Sequence, residues 1–169
     1  MSERQQSKSD KDDWQTPHRV LRSIKATTGV DMDPCAGPGT DIGDINITED
    51  QDGLSYPWEG YVYVNPPFSD KGTWLDKAIE EYQKKPVDAI YFLTPDSTDV
   101  KSWWHGKIAK HADWTLFYEG RVKFYDPALG EQRKSPPGGV GLHIFGNVPN
   151  LTLEMMAEQG DLLKRPRFL

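Results

Sequence analysis

The sequence predicts an α/β protein: one sheet with helices packed on it. Three observations predict this. Runs of β-branched and aromatic residues, Tyr61-Val62-Tyr63-Val64 the strongest, alternate with stretches such as Thr73 to Lys84 whose apolar residues recur at helical spacing. Two Gly/Pro-containing segments, Asp33 to Gly39 and Asn65 to Phe68, directly follow such runs, at the carboxyl ends of strands where α/β sheets bind ligands. A chain of 169 residues has room for one sheet and its helices, but not for a second domain of useful size. Residues 1–12 read as a disordered, charged lead-in, and residues 13–169 as the folded domain.

The elements follow in order. His18 to Thr28 suits a helix with Val20, Leu21 and Ile24 on its apolar side and Gly29 as its stop. Thr16 and Pro17 fit a cap and a first helical position. Val30 to Asp33 reads as a short strand running into a loop over Pro34 to Gly43, and Ile45 to Ile47 as a second short strand. Tyr61 to Val64 is a strand that Asn65-Pro66-Pro67 ends sharply. Thr73 to Lys84 is an amphipathic helix presenting Trp74, Ala78, Ile79 and Tyr82. Ala89 to Leu93 reads as a buried strand broken at Pro95, and Ser102 to His111 as a helix. Trp114 to Tyr118 and Val140 to Phe145 are strands on either side of a polar loop, Asp126 to Gly139. Leu151 to Gln159 is a terminal helix, and no internal repeat is present.

Composition narrows the function classes. No run approaches the ~20 apolar residues of a membrane span. The first thirteen residues have no apolar core of the signal-peptide kind, so the cytoplasm is the expected compartment. Cys35 is the only cysteine, which rules out an intrachain disulfide, and the four histidines have no metal-ligand spacing. The formal net charge of -6 argues against indiscriminate coating of nucleic acid. That deficit lies in the first sixty residues, so a polyanion would meet the later part of the chain.

Asn65-Pro66-Pro67-Phe68 carries the chemistry. An aromatic amine is a poor nucleophile because its lone pair is delocalised into the ring. Two acceptors near its hydrogens favour a pyramidal nitrogen and stabilise the positive charge that develops when it is alkylated. The Asn65 side-chain oxygen is one acceptor and the Pro66 carbonyl the other, held in place by the fixed φ of the prolines. Phe68 offers a flat face on which a flipped base can stack. Read alone, the four residues are equally a strand ended by Pro-Pro with a core phenylalanine.

Asp33-Pro34-Cys35-Ala36-Gly37-Pro38-Gly39 has two glycines that let a ligand approach the backbone, but not the third of a dinucleotide fingerprint and no Gly-Lys-Ser/Thr for phosphate. Asp52 stands in a turn before the Asn-Pro-Pro strand. Arg121, Lys123, Arg133 and Lys134 flank the polar loop, where their cations suit phosphate, though such charges are usually just solvated. Trp103, Trp104 and His105 can stack on a nucleotide or fill a core. Cys35 is expected to pack, since alkylation of an amine nitrogen needs no thiol.

Several segments resemble, in order, the phage-type (Dam-like) DNA N-6-adenine methyltransferase family. They are Asp13-Trp14-Gln15-Thr16-Pro17, Asp33-Pro34-Cys35-Ala36, Asp52-Gly53-Leu54 with Trp58, Asn65-Pro66-Pro67-Phe68, Trp74 with Lys77-Ala78, Leu93-Thr94-Pro95 with Thr98-Asp99, Trp103-Trp104-His105, and Gly120-Arg121 with Phe124. The family is often carried by phages and prophages. The resemblance implies a truncated class I S-adenosylmethionine-dependent methyltransferase (Rossmann-like) fold. It also implies S-adenosyl-L-methionine as cofactor and, as partner, DNA whose adenine is flipped from the stack. By the same resemblance Asn65, Pro66, Pro67 and Phe68 are catalytic. Trp14, Thr16, Pro17, Asp33, Pro34, Cys35, Ala36, Gly37 and Asp52 hold the cofactor, Asp52 through its adenine amine. Arg121, Lys123, Trp103, His105, Arg133 and Lys134 meet DNA, and no metal is implied. The chain departs from the pattern in two ways. Phe68 stands where the family often has tyrosine. The stretch from Gly39 to Asp52 is short for a full helix and strand, which leaves Asp41, Asp44 and Glu49 unranked as the acid for the ribose. Related amino-methyltransferases act on cytosine, RNA guanine or protein glutamine, and a non-catalytic nucleic-acid-binding module of the same fold is the alternative from another class.

Overall fold

The computed structural model describes residues 15–126, 130–132 and 138–166. In chain order these form α1 (His18–Lys25), β1 (Met32–Ala36), β2 (Ile45–Thr48), β3 (Gly60–Val64), α2 (Lys71–Tyr82), β4 (Val87–Pro95), a π-helix (Lys101–Ile108) continued by α3 (Ala109–His111), β5 (Trp114–Tyr118), β6 (Tyr125–Asp126), β7 (Glu131–Gln132), β8 (Val140–Gly146), α4 (Asn150–Ala157) and β9 (Gly160–Lys164). Seven strands make one sheet in the order β2-β1-β3-β4-β8-β5-β9, and β6 pairs with β7 separately. The first four strands are parallel, and β8 enters antiparallel between β4 and β5.

Both faces of the sheet are covered, so its central strands are apolar throughout rather than alternating. In β4, Ala89, Ile90, Tyr91, Phe92 and Leu93 are all buried. Residues on opposite sides of the pleat join different cores. Val62, Val64, Ile90 and Phe92 meet Trp74, Leu75 and Ala78 of α2 and Trp103, Trp104 and Ile108 of the π-helix. Tyr63, Tyr91 and Leu93 meet Val20, Leu21 and Ile24 of α1 and Met156 of α4. Gly29 ends α1 with φ 69°, and its N–H reaches back to the Ile24 carbonyl, a left-handed stop that glycine adopts without steric cost.

Four expectations are corrected. The first strand is Met32–Ala36 and takes in Pro34 and Cys35, which the Gly/Pro pattern assigns to a loop. Thr16 does not cap α1: Pro17 holds that position and no side chain bonds the end. The segment expected as a regular helix from Ser102 is π-helical through Ile108, with the Trp104 and His105 amides both directed at the Val100 carbonyl. The chain continues past its last helix into β9, which pairs with β5 and has no counterpart in a reading that ends on a helix at Gln159. The Asp126 to Gly139 stretch carries the short β6–β7 pair. Residues 127–129 and 133–137 of that stretch lie outside the described residues, as does the lead-in.

The topology creates the crevice. From β1 the chain passes to β2 on one side and then to β3 on the other, so the carboxyl ends of β1 and β3 diverge at a switch point. Residues 37–44 join β1 to β2 with no helix between them, which is where the fold is truncated.

Candidate active site

A cavity of about 430 Å³ opens at this switch point. Its walls are the loops leaving three parallel strands. Asp33 to Pro38 and Thr40 come from β1, Thr48, Glu49 and Asp50 from β2, and Asn65, Pro67 and Asp70 from β3. Asp52, Gly53, Leu54, Trp74, Gln15 and Thr16 complete it. Five lining side chains are acidic, and no Lys, Arg or His is among the described lining residues. Such a site attracts cations and repels phosphate. Of the acids left unranked for the ribose, Glu49 lines the cavity, whereas Asp41 and Asp44 are exposed outside it.

Asp33 is 2% exposed. Burial raises its carboxyl pKa to about 7, opposed by one hydrogen bond from the Cys35 amide at 3.0 Å. Cys35 packs partly buried against the α2-side core, as expected. Gly53 brings the 52–54 loop against Pro34: a Cβ at this position would overlap the Pro34 carbonyl. Behind it, the Trp58 indole donates to the Gly53 carbonyl at 3.0 Å and stacks on Trp74, with centroids 6.4 Å apart. The Trp58 backbone amide donates to buried Glu81 at 3.0 Å. Asp52 has a left-handed φ of 58° and accepts from the Ser55 hydroxyl at 2.5 Å.

Asn65 follows β3 directly, ahead of two prolines that prevent the strand from continuing. Its side-chain NH₂ donates to the Thr16 hydroxyl at 3.2 Å, and Thr16 lies 2.8 Å from the Tyr63 hydroxyl. Tyr63 and Asn65 are two residues apart along an extended segment and so share a face. Gln15 holds Thr16 in place: its backbone pairs with that of Tyr125, and its side chain donates to the Pro38 carbonyl at 3.4 Å. Pro66 is buried. Pro67 lines the cavity; Phe68, half-buried and not among the described lining residues, meets Phe124 edge-on at 6.3 Å.

The residues expected at DNA divide into groups. Trp103 and Trp104 are both buried, Trp104 against Phe117 and His143, and His105 beside them is exposed. Arg121 is exposed and donates to the Gly138 carbonyl, so it supports the end of the polar loop. Lys123 is exposed. Trp14, Arg133 and Lys134 lie outside the described residues. Pro17 is half-buried and outside the cavity lining.

Sequence reading misses Tyr63, which reads only as a strand residue, and Lys71. The Lys71 ammonium lies 5.4 Å from the Trp103 ring centroid and 3.4 Å from the Phe68 carbonyl, beside the Asn-Pro-Pro loop. His143 also has no partner readable from sequence. It is fully buried between the hydroxyls of Thr94 and Thr115, at 2.9 and 3.0 Å, and burial followed by the charge of Arg165 lowers its pKa to about 3, so it stays neutral.

A switch-point crevice with an Asn-Pro-Pro loop on its wall, in a Rossmann-like sheet shortened between its first two strands, defines a class I methyltransferase fold. The sequence model of the DNA N-6-adenine-methyltransferase (Dam) family matches residues 3–153, and the chain belongs to that family. Among solved structures, a protein of Pyrococcus horikoshii described as a candidate RNA methyltransferase is similar at a TM-score of 0.40 and 17% identity, over 62% of this chain and 51% of that one. The present chain therefore spans about half the length of that structure. None of the curated proteins compared matches the chain. No helix among the described residues is long and apolar enough to cross a membrane, and no cluster of potential metal ligands occurs among them.

Proposed function

We propose that this methyltransferase modifies the exocyclic amine of adenine in DNA, with S-adenosylmethionine as its cofactor. One observation carries the reading: the Asn65 amide stands on the wall of a cavity whose charged lining is entirely acidic. The residues fit the cofactor. It bears two positive centres, a sulfonium and an ammonium, and no phosphate, and the volume suits a ligand of that size. When bound, it supplies a methyl group on a positively charged sulfur.

The chain's own residues do the rest. Asp33 supplies a carboxylate that gains by ionising beside a cation. Glu49, at the end of β2, takes the ribose hydroxyls, as the acid after the second strand does in dinucleotide-binding sheets. Asp52 accepts from the adenine amine of the cofactor. On the other side, the Asn65 side-chain oxygen and the Pro66 carbonyl accept hydrogen bonds from the target amine, which frees its lone pair and stabilises the charge that develops on nitrogen. Phe68, set edge-on against Phe124, gives the extruded base a fixed ring to rest against. Lys71, Lys123 and His105, with Arg133 and Lys134, supply hydrogen bonds or charge for the DNA backbone. Trp103 acts through Lys71, whose ammonium it holds.

Transfer of a tritiated methyl group into DNA, RNA and protein in parallel, with the labelled base identified by mass spectrometry, tests the reading. Label recovered as N6-methyladenine in DNA is expected. Label in RNA, in protein or on cytosine, with none on adenine, overturns the substrate assignment.

A further inference from the structure

A carboxamide has one accepting end and one donating end of nearly the same shape, so a catalytic asparagine must be held the right way round. The structure contains a device for this. The Asn65 NH₂ is 3.2 Å from the Thr16 oxygen, and that oxygen is 2.8 Å from the Tyr63 hydroxyl. A threonine hydroxyl has one hydrogen and two lone pairs. One lone pair receives the Asn65 N–H. When Thr16 gives its hydrogen to Tyr63, only lone pairs are left for Asn65 and Thr16 faces it as an acceptor alone; a hydrogen kept by Thr16 could instead meet the amide oxygen. An acceptor at that point favours the amide nitrogen there and turns the amide oxygen to the other side.

Two features make the device stiff. Tyr63 has no exposed surface, and burial, only partly offset by the bond to Thr16, pushes its phenol well above 10, so it remains a neutral hydroxyl. Thr16 follows Gln15, whose backbone makes two hydrogen bonds with that of Tyr125 and so anchors the segment at the cavity.

We propose that Thr16 and Tyr63 are positioning residues of the methyl-transfer site: Thr16 donates to Tyr63 and accepts from Asn65, fixing the orientation of the Asn65 amide so that its oxygen, and not its NH₂, meets the target amine. The proposal rests on the functional reading above. It also gives Thr16 a different task from the direct cofactor contact that the family resemblance implies.

The test uses the full chain carrying Thr16→Val, Thr16→Ser, Tyr63→Phe, and Thr16→Val with Tyr63→Phe. Valine keeps the shape and removes the hydroxyl, while serine keeps the hydroxyl. Thr16→Val is expected to lower kcat about five- to ten-fold, the worth of one net hydrogen bond, with the cofactor Kd within about two-fold of wild type. Thr16→Ser restores kcat. Tyr63→Phe lowers kcat less, and the double variant is no slower than Thr16→Val alone, because both act through one amide.

A second measurement is independent of turnover. The Asn65 side-chain NH₂ resonances, assigned by NMR, should shift in Thr16→Val and return in Thr16→Ser. Unmoved Asn65 resonances overturn the proposal, as does an unchanged kcat. So does a cofactor Kd about ten-fold weaker with kcat unaltered at saturation, which would make Thr16 a cofactor contact. If the wild-type chain labels no nucleic acid, the functional reading falls, while the NMR comparison still decides whether Thr16 orients the amide.

Discussion

Gly53 is pressed against Pro34 so closely that no side chain fits between the two loops. The contact brings the turn before β3 onto the strand that carries Asp33, so both walls of the cavity depend on it. Gly53→Ala should separate them, lowering stability by roughly 1–3 kcal/mol, as overpacking does, and weakening cofactor binding by about ten-fold or more. Gly37→Ala is the control for stability, since its Cβ would meet only Thr40 Cγ2 at 3.6 Å. Thermal melts and cofactor titration of both variants check this. Equal melting temperatures would remove the close contact from the account.

Glu81 sets the wall behind Trp58. It is 1% exposed and accepts from the Trp58 amide at 3.0 Å, from Lys77 at 2.6 Å and from Lys84 at 2.7 Å. Burial alone would raise its pKa, but the lysine and amide hydrogen bonds outweigh this and lower it to about 2 from the usual 4.5. A depressed carboxyl pKa stabilises the folded chain above the unfolded value, and that stability is lost as pH falls through the folded one. The contribution at neutral pH is on the order of 3 kcal/mol. Denaturant titrations should therefore show the wild type losing more stability than Glu81→Gln between about pH 5 and about pH 2. Parallel losses in the two would refute the assignment.

Much of the fold is legible in the sequence because burial writes it directly. Tyr61 to Val64, Trp114 to Tyr118 and Val140 to Phe145 are apolar, β-branched or aromatic, and each is a strand where expected. The first strand is longer than its pattern suggests because Pro34 and Cys35 interrupt a periodicity that strand pairing does not need to keep. β9 is hidden for the opposite reason: Gly160–Lys164 is short and largely exposed, its two leucines are adjacent rather than alternating, and its strand form comes from pairing with β5 rather than from its own composition. At the site, the Asn-Pro-Pro loop is readable because proline chemistry is local. The approach of Thr16 to Tyr63 and Asn65 is not, because it joins segments 47 and 49 positions apart through hydroxyls that carry no pattern. Lys71 carries no signal in the sequence because its aromatic partner, Trp103, comes from the π-helix across the sheet face.

Removing the Asn65 carboxamide should leave the fold intact, since the residue is only partly buried and ends a strand whose pairing is backbone-made. Asn65→Ala is expected to cost on the order of 10²–10³ in kcat, the usual loss of one preorganised polar group, with cofactor affinity little changed. Asn65→Asp should retain more activity than Asn65→Ala, because a carboxylate still accepts from the target amine and can take the Thr16 hydrogen in place of giving one. Single-turnover rates with saturating cofactor separate the three proteins. An alanine variant as fast as wild type would end the catalytic role of Asn65.

Asp33 makes cofactor binding a proton-linked event. Its folded-state carboxyl pKa lies near 7 because burial penalises the charge, against 3.8 for a free aspartate. In the empty protein the folded state therefore binds more protons than the unfolded state between these values, so stability falls as pH rises from about 4 to 7. A cationic ligand beside the carboxyl reverses the balance by favouring the ionised form. Binding at about pH 6 must then release a proton from Asp33, binding at about pH 8 must not, and affinity should rise with pH before levelling off above about 7. Calorimetry at both values, in buffers of different ionisation enthalpy, measures the released proton. The substitution Asp33→Asn removes the titrating group. It should abolish the release, flatten the pH dependence of affinity, and raise the melting temperature of the empty protein at about pH 8 while weakening cofactor binding. A wild-type protein whose affinity and proton count do not change across this range would show that Asp33 does not face the ligand's charge.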